Sequence, residues 1–62
     1  MHELIWLRTR LLEIQETRIK ILGNGAAKDY PDYRQRSGEI TGLALGIVEI
    51  EDLLKNMENA NE

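Results

Sequence analysis

The chain has 62 residues, a formal net charge of −3 and no cysteine. That length allows one small domain, which buries only about 60% of its unfolded surface and is marginal on its own. The composition excludes disulfides and thiolate metal sites, and His2 alone makes no metal centre, so self-association or docking is the remaining means of support.

The first helix is expected at about 2–22. Leu4, Leu7, Leu11, Ile14 and Ile21, with Arg18 filling a gap, recur in steps of three and four as a heptad seam. Ile5, Leu12, Ile19 and Leu22 form a second line beside it. The stripe is thus wider than one helix contact requires, which predicts a helix touching more than one neighbour. Trp6 lies off the seam, as an interface anchor or a cover for the open end of the hairpin.

Gly23-Asn24-Gly25 supplies residues that tolerate the left-handed conformation ending helices, and Lys20 suits the last turn. The turn is expected at 23–29, short enough to send the second helix back antiparallel. That helix is expected at about 30–57. Asp29 can cap it, with Asp32 as the acid three residues on. Tyr30 can cap it with Pro31 in the first helical position. The second option is preferred, because a residue before proline avoids the helical region. Tyr33, Arg36, Ile40, Leu43, Ile47, Ile50, Leu54 and Met57 continue the seam, and a polar tail at 58–62 should fray. The fold class is therefore all-α: an antiparallel, coiled-coil-like two-helix hairpin, its core completed by oligomerisation or by docking on a partner.

Gly38, Gly42 and Gly46 recur every fourth residue inside the second helix. Each costs a helix interior roughly 0.8–1 kcal/mol against alanine. With Ile40 at zero and about 100° per residue, they centre near 200°, almost opposite the seam, with Leu45 and Leu53 beside them. The strip fits close packing on another helix, clearance for a ligand, or exposed positions with no role; the first is preferred. The expected interface is Gly38, Gly42, Leu45, Gly46, Leu53 and Trp6.

Residues 1–37 carry seven basic and five acidic side chains, and residues 38–62 carry one and six. The acidic far end disfavours general phosphate binding. Lys28, Tyr30, Arg34 and Arg36 around the turn form a weaker candidate for contact with an anion or single-stranded nucleic acid. Glu49, Glu51 and Asp52 diverge around the helix and read as a solvated face. There is no histidine–carboxylate–serine set, and neither an enzymatic activity nor a cofactor is expected. MHELIWLR lacks a signal-peptide pattern and no apolar run reaches bilayer length, so a soluble, cytoplasmic chain is expected.

A glycine-containing turn, Lys28-Asp29-Tyr30, Tyr33-Arg34, Gly38, Ile40, Gly42-Leu43 and the acidic end Glu49 to Leu54 resemble the C-terminal half of small helical-hairpin proteins of tailed bacteriophages. The resemblance covers about half the chain, and Pro31 departs from it. It implies a phage origin, residence in the infected host's cytoplasm or the virion, and a partner that is the chain itself or a larger phage or host protein. The function expected is a non-enzymatic virion or accessory protein; the alternatives are a regulator of a host protein, or a nucleic-acid or nucleotide binder.

Overall fold

A computed structural model of the chain describes residues 2–60. It contains two helices, α1 (His2–Gly23) and α2 (Tyr30–Ala60), and no strand among the described residues. Gln15 meets Ile40, Arg18 meets Glu39, and Ile5 and Arg8 lie beside Leu54 and Lys55. Rising numbers on α1 thus meet falling numbers on α2, and the two form an antiparallel hairpin of 50 × 16 × 13 Å.

The turn is closed from both sides. Gly25, at φ 84°, holds the left-handed conformation that ends α1. Its N–H donates to the Leu22 carbonyl at 3.1 Å and the Ala26 N–H to the Ile21 carbonyl at 3.3 Å. These are the paired bonds of a Schellman motif. Gly23 remains helical, so the connection is shortened to 24–29.

At the other side Asp29, not Tyr30, caps α2, and the preference for a Tyr30 cap is corrected. The Asp29 Oδ1 accepts from the Asp32 N–H at 2.8 Å, and the Asp29 carbonyl from the Tyr33 N–H at 3.0 Å. Asp32 reaches back to the Lys28 N–H at 3.2 Å and also pairs with Arg36 Nε at 3.1 Å. Pro31 then stands second in the helix, where its missing N–H has no intrahelical partner to lose. Two satisfied donors outweigh the preference of the pre-proline residue for extended backbone.

The Lys28 N–H, and after it the Arg36 side chain, hold the Asp32 carboxyl below the usual aspartate range. A depressed folded-state value adds stability above the unfolded value, roughly 3.9, that is lost as pH falls through the folded one. Acidification to about pH 2 is therefore expected to lower helicity, and Asp32→Asn to lose part of that response. Far-UV circular dichroism of both chains checks this; identical acid responses would count against it.

Alpha-helix 2 runs to Ala60 rather than stopping near Met57. Glu58-Asn59-Ala60 contains neither the glycine nor the proline that would stop it. Of the expected polar tail, Asn61 and Glu62 lie outside the described residues.

Packing follows the α2 seam from Arg36 onward, whereas Tyr33 is exposed. Ile47 (5% exposed) and Leu54 (9%) are the buried core, and Ile40, Leu43, Ile50 and Met57 are half-buried. Alpha-helix 1 buries no residue fully. Its contact line is Leu4, Arg8, Leu11, Gln15 and Leu22, all half-buried, with Ile14 at its edge. Leu7 and Ile21, expected on the seam, are exposed. The helix is rolled so that α2 meets the middle of the wide apolar stripe. One row, Leu7, Ile14 and Ile21, is left on one flank, and Ile5, Leu12 and Ile19 on the other.

Candidate functional site

The glycine strip sits beside the core line, not opposite it, which corrects the sequence expectation. Leu43, Ile47 and Leu54 centre near 320° on the wheel that puts the glycines near 200°, a separation of about 120°. Gly42 and Gly46 therefore reach the junction between the helices. With Leu43 of α2 and Leu11 and Ile14 of α1 they line an apolar groove, bounded by the Arg18–Glu39 ion pair at 3.1 Å. Gly46 is half-buried there. Gly38 turns away from the groove. It lies in a shallow trough on the outer surface of α2 with Tyr30, Arg34, Thr41 and Leu45, and Gly42 borders both features.

A Cβ built on Gly38, Gly42 or Gly46 meets no atom within 4 Å. Nothing within the hairpin requires these glycines. Their helix penalty is uncompensated inside this chain.

The other expected site residues divide. Leu45 is 64% exposed in the trough, beside Tyr30 and Arg34, so part of the expected interface and part of the expected anion contact share one surface. The Tyr30 and Tyr33 rings stack at 6.3 Å between centroids. Arg36 stands apart from them, paired with Asp32 and sharing a small cleft with Arg18, Ile21 and Glu39. Lys28 is exposed in the turn, its backbone N–H held by Asp32. Leu53 is exposed. Trp6, 64% exposed, is about 160° round α1 from its contact line and shares no surface with the glycines.

Two features were not singled out from the sequence: the groove, and the row beside it in which exposed Leu7 and Ile21 stand on either side of half-buried Ile14. The signal was present in the width of the α1 stripe. It was read as surplus apolar area without a position.

The accessible surface is 4919 Å². A compact folded monomer of 7.2 kDa exposes roughly 4,100 Å². The excess, roughly 800 Å², reflects the elongated two-helix shape. Among the described residues, eleven large apolar side chains are exposed, from Ile5 on α1 to Leu53 on α2.

Glu49, Glu51 and Asp52 are exposed on α2. Among the described residues, no group of three or more histidine, cysteine or acidic side chains is placed to hold a metal ion. Neither helix is long and apolar enough to cross a membrane. The chain matches no protein-family model, no curated protein and no solved structure.

Proposed function

We propose that this chain is a non-enzymatic protein-interaction module, a hairpin whose core is completed by a partner on its apolar side. The observation that carries the reading is the imbalance, among the described residues, between two buried side chains, Ile47 and Leu54, and eleven exposed large apolar ones. Scattered exposed leucines need no explanation. Here Leu7 and Ile21 continue a row with Ile14 at the groove, and Ile5, Leu12 and Ile19 form a second row on the other flank of α1; apolar rows of this kind mark interaction sites.

The resemblance to small phage hairpin proteins supports a more specific reading: a structural or accessory component of a tailed-phage virion. The test is mass spectrometry of purified particles of the encoding phage beside the soluble fraction of infected cells. Many copies per particle are expected. Absence from particles, with association with one host protein, would replace this reading by regulation of that protein.

The stacked Tyr30–Tyr33 pair beside Arg34 favours a second reading, contact with single-stranded nucleic acid. Stacking platforms next to cations suit that ligand. Titration of labelled single-stranded DNA decides it: binding at low salt that weakens steeply with added salt supports it. No binding at low salt removes it.

A further inference from the structure

We infer that the partner is a second copy of this chain, laid antiparallel across the Leu11–Ile14–Gly42–Gly46 groove about a two-fold axis. The inference rests on the interaction-module reading and names the occupant of its surface.

The position of the groove is the first argument. Leu11 and Ile14 lie near the middle of α1, and Gly42 and Gly46 near the middle of α2. A two-fold axis through a mid-length patch, perpendicular to the hairpin, superposes two copies along nearly their whole length. Such a patch meets itself, as closed dimer symmetry requires.

Area is the second. The broad side of the hairpin measures 50 × 16 Å, about 800 Å². That footprint reaches the roughly 800 Å² per partner of a standard interface.

Charge sets the direction. Residues 13–44, the turn half, carry five basic and five acidic side chains and are neutral. Residues 1–12 and 45–62, the open half, carry three basic and six acidic ones, a net −3. Parallel pairing would stack two −3 ends. Antiparallel pairing lays each over a neutral turn half, which lowers the repulsion.

The opposite side of the hairpin is the poorer candidate. Its groove, beside Ile5 and Leu54, is lined by Arg8, Glu51, Lys55 and Glu58, charged groups that water solvates well. On the chosen side the charges lining the groove among the described residues are Arg18 and Glu39, already paired, and Arg10 beside the Ile14–Ile21 row pairs with Glu13. Gly42 and Gly46 leave room there for the partner's Ile14 to sink between the helices.

The test uses the full chain. Its lack of cysteine lets a single spin label be placed in the turn by Asn24→Cys. Sedimentation is expected to show a dimer over roughly 1–100 μM, a range typical of modest interfaces. Pulsed dipolar spectroscopy is expected to place the two labels close to one hairpin length, 50 Å, apart. Labels within about 20 Å, on the order of two helix diameters, would overturn the antiparallel arrangement.

Ile14→Glu is expected to weaken the dimer on the order of 100-fold, as loss of a central apolar contact does. Leu12→Glu, on the other flank, should leave it paired. The reverse outcome overturns the choice of side. Should Ile14→Glu lose its fold, Gly46→Leu, whose Cβ meets open space within the hairpin, takes its place. A monomer with marginal helicity overturns self-pairing and leaves the module reading standing. A stably folded monomer across the whole range overturns both.

Discussion

Truncating Leu54 to alanine is expected to unfold most of the isolated hairpin. Leu54 and Ile47 are the only side chains buried among the described residues, and both come from α2. A buried leucine-to-alanine change removes about 2–5 kcal/mol. A single core in a chain of this length supplies no more than about 3–5 kcal/mol. One truncation thus consumes most of the margin, and Ile47→Ala should behave alike. Leu45→Ala, at a 64% exposed position, is the control and should change stability by less than about 0.5 kcal/mol. Urea titration followed by circular dichroism measures all three. Equal midpoints for Leu54→Ala and Leu45→Ala would show that the packing described for α2 does not hold the hairpin together.

Replacing the three glycines together by alanine should act in the opposite direction on the single chain. No atom stands within 4 Å of a Cβ at Gly38, Gly42 or Gly46. Each change then relieves only the backbone penalty, up to about 1 kcal/mol, and the three together roughly 2–3 kcal/mol. That would raise the thermal midpoint of a chain this small by roughly 8–24 °C, at about 4–8 °C per kcal/mol. Assembly separates the three positions. Gly42 and Gly46 line the groove, so a methyl there crowds a partner, an overpacking effect of roughly 1–3 kcal/mol. Gly38 lies in the outer trough and should stabilise without weakening pairing. Single variants, melted below the association range and sedimented above it, give the two readouts. If Gly42→Ala and Gly46→Ala stabilise the chain and leave assembly untouched, the groove is not an interface.

Much of this fold was legible in the sequence, and the places where it was not have local causes. The heptad from Ile40 to Met57 is the line of α2 that packs on α1, so its inward face could be read from the sequence to within about 40°. Alpha-helix 1 has three adjacent lines. Periodicity alone does not choose among them, because packing on α2 can use any, and the structure uses the middle one. The cap of α2 set two short-range preferences against each other, and hydrogen bonds of Asp29 and Asp32 decided between them. The end of α2 was placed early because polar residues suggested fraying while no stop residue was present.

The candidate surface was misplaced for a different reason. The glycine spacing was visible, but its direction was referred to Ile40, which lies at one margin of the core line. Referring it to Leu43, Ile47 and Leu54 turns the strip about 40° toward α1. That rotation moves Gly42 and Gly46 from a free outer face to the lip of a groove. Nothing in the chain's own periodicity shows where the centre of a contact line falls when the partner helix can roll.

The unequal lengths of the helices have a consequence for backbone amide exchange. Alpha-helix 2 has 31 residues and α1 has 22, about 46 Å against about 33 Å. Near Ile47 an amide of α2 opens only when the hairpin itself comes apart. Past Met57, the last half-buried side chain among the described residues, 58–60 are exposed, and of these only Glu58 borders the groove beside α1. Their turn also ends without a basic residue to offset the helix dipole, and Glu58 there carries the unfavourable sign. Protection therefore declines along one continuous helix, from the whole unfolding free energy at its middle to almost none at its end.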